Sequence, residues 1–241
     1  MKKENIKHTV RTDNSSYHFD HVHIAPQKQL SLHQQDSWEL SYIITGKGVR
    51  VVGDVTASFT EGDVVLIPPN IPHCWSFDLS FCDEESKIEN ITIILPAKFL
   101  KGIGMVFTEL AETMEQILMN KEALSFNGHT LVELQHIIKE MIAMSYIDRI
   151  SPLLTIFKLI ASSQEERNVV GKLVVEDKQS KTMLNVLLHI MNNYQDNISL
   201  DDISTFSGMS KSTFCIFFKK QTGKSFTTYL TDYRIEISRE M

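Results

Sequence analysis

A group of cationic side chains lies in the last third of the sequence. Between Lys211 and Lys224 the chain has four lysines and no acidic residue. Clustered lysines neutralise the phosphates of nucleic acids, and the displaced counterions favour binding. The whole chain has a formal net charge of −6, whereas residues 182–241 hold equal numbers of basic and acidic side chains. The sequence therefore predicts a small basic patch suited to a few phosphates.

Residues suited to catalysis are scarce. The sequence has no phosphate-binding glycine loop, no nucleophile elbow and no helical pair of zinc-binding histidines, so we predict no catalytic residue and no cofactor. His21 and His23 would share one face of a strand, the spacing of a metal-binding pair, although neighbouring surface histidines are commoner. The three cysteines lack metal-type spacing and cannot all pair, which favours a reducing cytoplasmic setting.

Composition sets the class of protein. With 241 residues and a hydrophobic share of 42%, the chain is long enough for two small domains with their own cores. No apolar run approaches the length of a membrane-spanning helix, and no apolar stretch follows the polar N-terminus as in a secretory signal. We therefore expect a cytoplasmic protein without a membrane partner.

Local signals around the lysines predict helices. Ser199 and Ser210 stand at helix N-cap positions, and Asp202 completes a capping-box pattern with Ser199. Gly208 and Gly223 allow the backbone angles of a sharp turn and of a helix end. Two short helices joined by a tight turn have the shape of a DNA-reading helix-turn-helix. The same pattern also occurs within ordinary helical bundles.

The stretch from Ile198 to Arg234 resembles the AraC/XylS family of bacterial transcription regulators. The matching residues are Ile198, Ser199, Leu200, Ser210, Phe214, Phe218, Lys219, Gly223, Ser225, Phe226, Tyr229, Leu230 and Arg234. Ser204 and Ile216 depart from the residues usual in that family. The resemblance covers one helix-turn-helix unit of the two that the family has, so we expect a partial, truncated DNA-binding domain. It places the DNA contacts on Lys211, Ser212, Thr213, Cys215, Ile216, Lys219 and Lys220.

The first half of the chain has the pattern of a small β-barrel. Short β-branched runs recur from about Phe19 to Leu95, separated by turn residues such as Gly53-Asp54, with no helical pattern between them. Glu39, Gly46, Gly62, Pro68, Asn70 and His73 follow the two cupin motifs, so the segment resembles the cupin-type sensor of AraC-family regulators.

This resemblance implies a ligand site inside the barrel. The metal ligands of metal-binding cupins would fall on His33, Gln35, Glu39 and His73, but Gln35 replaces a histidine, and we predict no metal. Candidate residues for binding a small molecule are His33, Trp38, Tyr42, His73 and Trp75, with ordinary core packing an equal alternative for each tryptophan.

The predicted fold class is α+β with two domains. Residues 1–162 form a cupin-like sensing and dimerisation domain, in which helices follow the barrel. Residues 163–181 are polar and form a linker, and residues 182–241 form an all-α, partial helix-turn-helix domain.

The predicted function is ligand-responsive, sequence-specific transcription regulation. The partners would be promoter DNA, an effector of unknown identity and a second copy of the chain, with RNA polymerase as a further partner that this interpretation allows. One alternative is a metal-dependent cupin enzyme using His33, Glu39 and His73. Another is a truncated regulator that senses and dimerises without holding DNA.

Overall fold

The structure, a computed structural model, describes residues 15–30, 32–173 and 178–240. The chain divides into two compact units, Met1–Leu173 and Val174–Met241. Met241, the last residue of the predicted DNA-binding domain, lies outside the described residues. No helix in the described ranges is both long enough and apolar enough to cross a membrane.

The first unit contains two antiparallel sheets. The larger sheet has the strand order β1-β7-β2-β5-β8-β9, and the smaller has the order β4-β3-β6. The strand bounds are His18–Ile24 (β1), Trp38–Thr45 (β2), Gly48–Val52 (β3), Val55–Phe59 (β4), Val64–Ile67 (β5), His73–Phe77 (β6), Ile88–Leu95 (β7), Glu122–Phe126 (β8) and Arg167–Lys172 (β9). The mixed α+β class and the β-rich N-terminal region are as predicted, and both are confirmed.

The two faces of the larger sheet belong to two different cores. Ile43, Val65 and Ile67 pack between the sheets, together with residues of the smaller sheet such as Trp75. Leu40, Tyr42 and Leu66 pack on the opposite face, against the helices. The division follows from the two-residue period of a strand, which sends neighbouring side chains to opposite faces.

Four helices cover the outer face of the larger sheet. They are Ala97–Val106 (α1), Ala111–Met119 (α2), Gly128–Glu140 (α3) and Ile150–Ser162 (α4). The sequence predicts one continuous helix from Ala97 to Met119, but Phe107 adopts an extended backbone that separates α1 from α2. The break allows α2 to fold back on α1, where Gly104 lies close to Met114.

The predicted linker, residues 163–181, includes part of the sheet. Strand β9 pairs with β8, Val170 is buried in the core between the sheets, and Gly171 approaches the Val52 carbonyl so closely that a Cβ there would lie 2.1 Å from the oxygen. The Glu166 carboxylate accepts hydrogen bonds from the amides of His129 and Thr130 at the start of α3. The polar composition concealed this strand because only one of its apolar side chains faces the core.

We expect a fragment of residues 1–173 to unfold cooperatively, and a fragment of residues 1–162 to be less stable by roughly 1.5–3 kcal/mol. The shorter fragment loses the burial of Val170, and burying a valine side chain contributes about 1.5–3 kcal/mol. Urea unfolding of both fragments, followed by tryptophan fluorescence, measures the difference. Equal midpoints would show that β9 contributes nothing to the sheet.

The second unit is helical within its described residues. Its helices are Lys178–Asn193 (α5), Leu200–Phe206 (α6), Lys211–Thr222 (α7) and Phe226–Glu240 (α8). Ser199 forms the predicted capping box with Asp202, Ser210 caps α7, and Gly223 ends α7 in the left-handed conformation with φ of 75°. These local predictions are confirmed.

Candidate functional site

Glu39 lies at the centre of a polar cluster in the first unit. Its side chain is on β2 on the same face as Ser41 and Ile43, and the residue is only 4% exposed. One carboxylate oxygen accepts a hydrogen bond from Gln35 Nε2 at 2.9 Å and lies 3.0 Å from His73 Nε2, and the other accepts from Ser41 Oγ at 2.6 Å. Three protein groups therefore replace the water that a buried carboxylate loses.

His33 and His73 are held beside Glu39 by their backbones. The two residues form an isolated antiparallel bridge with N–O distances of 3.1 and 2.8 Å, and their rings lie 4.4 Å apart. His73 Nδ1 lies 2.8 Å from the Ile71 carbonyl oxygen, so both ring nitrogens of His73 face acceptor oxygens. That arrangement suits an imidazolium, which donates from both nitrogens.

The protonation states of the pair follow from this geometry. Burial by itself would raise the pKa of the Glu39 carboxyl, but the charge and hydrogen bond of His73, with His33 and Ser41, outweigh it and lower the pKa to about 2. Burial by itself would lower the pKa of His73, but Glu39 and the Ile71 carbonyl raise it above its ordinary value. The cluster is therefore a buried ion pair whose hydrogen bonds are filled by protein groups.

The same three side chains could hold a metal ion. One ligand atom each from His33, Glu39 and His73 lies within 4.8 Å of the others. Two imidazoles and a carboxylate form a facial set that suits iron or zinc. Metal binding would require His73 Nε2 to lose its proton, and Gln35 already donates to the Glu39 oxygen. The donor set fits a metal, although the hydrogen bonds also satisfy it without one.

The predicted ligand-binding residues divide between two faces of the larger sheet. Trp75, on β6, packs in the core between the sheets, whereas Trp38 and Tyr42 pack against the helices with Leu40. The structure therefore does not bring Trp38 and Tyr42 together with His33, His73 and Trp75. The reason is the alternation of side chains along β2, which places Glu39 on one face and its odd-spaced neighbours on the other.

Two polar residues in the barrel core were not predicted. Arg50 on β3 lies opposite Trp75 in the register and donates to the Asp63 carboxylate at 2.9 Å, and Asn90 on β7 lies opposite Ile43. Arg50 Nε, Trp75 Nε1 and Asn90 Oδ1 are buried without a hydrogen-bond partner among the described residues. Leaving such groups unpaired is costly. An arginine within the apolar run of β3 was the one signal available in the sequence.

In the second unit, α7 presents the predicted DNA contacts on its exposed face. All of these predicted contacts are exposed, and Ile216 is 73% exposed. They are Lys211, Ser212, Thr213, Cys215, Ile216, Lys219 and Lys220. Phe214, Phe217 and Phe218 are buried on the opposite face, in a core that includes Ile203 and Phe226. Ser204 is 3% exposed and donates to the Asp201 carbonyl. The apolar spacing of Leu200, Ile203 and Phe206 predicts that Phe206 faces inward, but it is half exposed beside the ring of His189.

Two of the four clustered lysines are engaged within the chain. Lys211 Nζ lies 2.6 Å from Asp201 Oδ1, and Lys224 Nζ lies 2.6 Å from Asp232 Oδ2. Lys219 and Lys220 have no ion-pair partner in the described part of the chain. The basic patch is therefore centred on the C-terminal half of α7, which is narrower than the sequence indicates.

Two histidines within β1, His21 and His23, are paired with carboxylates. His21 Nε2 lies 2.7 Å from Glu89 Oε1, and His23 is bonded to Asp83. These four side chains are partly exposed, and they do not form a group of metal ligands within the described residues.

Comparison with known proteins adds a domain assignment. Residues 20–78 match the family model described as a cupin domain. The first unit therefore contains a cupin-like region. The match includes Glu39 and His73, and it spans β1 to β6. No curated protein matches the chain.

Solved structures similar to this chain include regulators and cupins. The AraC-like transcriptional activator CuxR shares 14% identity over 84% of this chain and 67% of its own, with a TM-score of 0.36. ToxT from Vibrio cholerae shares 13% identity over 92% of this chain and 97% of its own, with a TM-score of 0.42. A cupin protein from Methanocaldococcus jannaschii shares 19% identity over 34% of this chain and 73% of its own, with a TM-score of 0.28. The cupin match agrees with the predicted cupin-like barrel.

Proposed function

We propose that the chain is a ligand-responsive, sequence-specific transcription regulator of the AraC type. The main observation in support is that α7 buries one face and exposes the other, in a chain that also has a cupin-like domain. The buried phenylalanines of α7 fix the helix on the core of the second unit, while the seven residues aligned with the family's DNA contacts face solvent. An exposed helix with this division of faces can enter the major groove of DNA.

The residues of α7 would have different tasks on DNA. Ser212, Cys215 and Ile216 lie at spacings of three and four residues, so they share one face and would meet base edges. Ile216 offers no hydrogen bond but can pack on the methyl group of thymine. Lys219 and Lys220, which lack ion-pair partners among the described residues, would meet phosphates and set the position of the helix on the duplex.

Changing Lys219 to alanine is expected to weaken binding to all DNA sequences alike and to reduce the slope of log K against log salt by about 1. The reason is that a phosphate contact releases a counterion but carries no base information. Titration of labelled DNA at several salt concentrations measures both quantities.

Two further variants serve as comparisons for Lys219→Ala in that titration. Lys224→Ala removes a lysine that is already paired with Asp232, and a smaller effect is expected. Asp201→Asn releases Lys211 from its ion pair, and slightly tighter binding is expected. A Lys219→Ala effect confined to one base pair would mean that its role is base recognition.

The effector is proposed to bind in the cupin domain, at the polar groups between the two sheets. Arg50 Nε and Trp75 Nε1 are donors, Asn90 Oδ1 is an acceptor, and all three are buried without partners among the described residues. A ligand able to accept two hydrogen bonds and donate one would satisfy them. Trp75 also offers an aromatic face, and its ring already meets Phe59 edge-on at 5.1 Å.

We also propose that two copies associate through the helical layer of the first unit. Ile147 is 80% exposed and Met119 is 70% exposed, so each offers apolar surface that a second copy could bury. A dimer is expected by light scattering at tens of micromolar. Ile147→Asp should weaken it while the protomer stays folded by circular dichroism, and Leu79→Asp, which alters a half-exposed leucine beside the smaller sheet, serves as its control. A monomer at all concentrations would contradict this proposal.

A metal-dependent cupin enzyme is the second candidate. It is favoured by the three ligand atoms of His33, Glu39 and His73 within 4.8 Å of one another. Metal analysis of the purified full chain separates the two proposals. One equivalent of iron or zinc that is lost in His33→Ala would support the enzyme, and absence of bound metal after incubation with either ion would exclude it.

A further inference from the structure

The outward face of α7 has an apolar side chain near its centre. Ser212, Ile216 and Lys219 lie within about 60° of one another around the helix axis, opposite the buried phenylalanines. Ile216 is 73% exposed, the largest exposed fraction of any large apolar side chain that the structure describes in the second unit. An isoleucine side chain neither donates nor accepts a hydrogen bond, so it can recognise only another apolar group.

The polar groups in the first turn of α7 are already engaged within the chain. Ser210 Oγ lies 3.1 Å from Ser212 Oγ and 2.8 Å from Thr213 Oγ1, and it also accepts from the Thr213 amide. The two contacts between hydroxyls use two of the three hydroxyl protons. Lys211 is paired with Asp201 at 2.6 Å. This turn therefore keeps little hydrogen-bonding capacity for base edges.

The side chains that usually read purines are missing from the outward face of α7. Guanine is read by arginine or lysine, and adenine by asparagine or glutamine, through paired hydrogen bonds. The helix has no arginine and no asparagine, and its one glutamine, Gln221, lies about 180° around the axis from Ser212. Lys219 and Lys220 are in the last turn, whereas the N-terminal part of such a helix contacts the bases. Ile216 is therefore the residue of this face with a distinct base preference.

One group in the major groove of DNA suits an isoleucine. The methyl group at C5 of thymine is the apolar feature that the four bases present there. Uracil has the same hydrogen-bonding groups as thymine but lacks the methyl group, and 5-methylcytosine has a methyl group at the same ring position. A side chain that reads only the methyl group would therefore reject uracil and accept 5-methylcytosine.

We propose that α7 selects its site through the C5 methyl group of a pyrimidine, read by Ile216, and that 5-methylcytosine is accepted there as well as thymine. This inference rests on the proposed DNA-binding function and adds the chemical group that is read. Its consequence is that methylation of a cytosine at this position strengthens binding.

Titration of the full chain with labelled duplexes tests this inference. The duplexes have the sequence motif that the chain enriches from a random pool, with each thymine replaced in turn by uracil. At one position the affinity should fall about fourfold, the ratio expected for burying one group of the size of a methylene. At that same position, a duplex with 5-methylcytosine should bind about fourfold more tightly than one with cytosine.

Ile216→Ala should abolish both ratios, because the shorter side chain no longer covers the methyl group. Ile235→Ala is the matched control, since Ile235 is an exposed isoleucine of α8 in the same unit, and it should leave both ratios at about fourfold. Circular dichroism at 222 nm checks that both variants are folded.

The outcomes separate this inference from the proposed function. Sequence-selective binding with equal affinity for thymine and uracil at every position would overturn methyl reading and leave DNA recognition intact. A ratio that persists in Ile216→Ala would also overturn the inference, because another residue would then read the methyl group. Failure to enrich any motif would overturn both proposals.

Discussion

Replacing Glu39 by alanine is expected to lower the free energy of unfolding of the first unit by about 3–5 kcal/mol, the usual cost of removing one partner of a buried ion pair. The change leaves His73 Nε2, Gln35 Nε2 and Ser41 Oγ without their shared acceptor in a buried site. Urea unfolding followed by tryptophan fluorescence measures it, because both tryptophans, Trp38 and Trp75, lie in this unit.

The matched control is Glu89→Ala. Glu89 also pairs with a histidine, at 2.7 Å, but both side chains are 29% exposed. A loss below about 1 kcal/mol is expected for such a pair. If Glu39→Ala proved as mild as Glu89→Ala, the buried cluster would not be the polar centre of the barrel.

Replacing Phe218 by alanine is expected to destabilise the second unit by about 3–5 kcal/mol, the usual cost of truncating a buried phenylalanine. Phe218 is fully buried, and its ring contacts those of Phe214, Phe226 and Tyr229. The circular-dichroism signal of the helices at 222 nm should then show an unfolding transition at a lower urea concentration than in the unaltered chain. Tryptophan fluorescence should stay unchanged, because no tryptophan lies in this unit.

Ile216→Ala is the control for this variant, since Ile216 is on the same helix and 73% exposed. It should leave stability unchanged and, under the proposed function, should weaken discrimination at one base pair. If the Phe218→Ala protein unfolded at the same urea concentration as the unaltered chain, the buried face of α7 would not contribute to the stability of the second unit.

Local signals allowed the helix ends of the second unit to be predicted. A serine cap needs only an amide two or three residues away, and a left-handed glycine needs only its own backbone angle, so Ser199, Ser210 and Gly223 could be assigned from short stretches. The ion pair of Lys211 with Asp201 could not be assigned in this way, because it depends on how α6 and α7 meet.

In the first unit, too, some features could be predicted from the sequence and others could not. The cupin motifs placed Glu39 and His73 together correctly, and the structure joins them at 3.0 Å. Side chains at odd spacings along a strand point to opposite faces. If Glu39 points into the barrel, Trp38 and Tyr42 must therefore point the other way, and in the structure they pack against the helices. Strand β9 pairs with β8, which lies about 45 residues earlier in the chain. A local sequence pattern does not indicate which distant strand a segment pairs with, so β9 was not predicted.

The most direct test of the central proposal is selection of DNA sequences from a random pool by the purified full chain. The proposed regulator should enrich one sequence motif over successive rounds, and the enrichment should weaken in Lys219→Ala while the motif itself stays the same. A pool that remains random, with binding no tighter than the non-specific range of roughly 10⁻⁴–10⁻⁶ M at physiological salt, would contradict the proposal that this chain recognises promoter DNA.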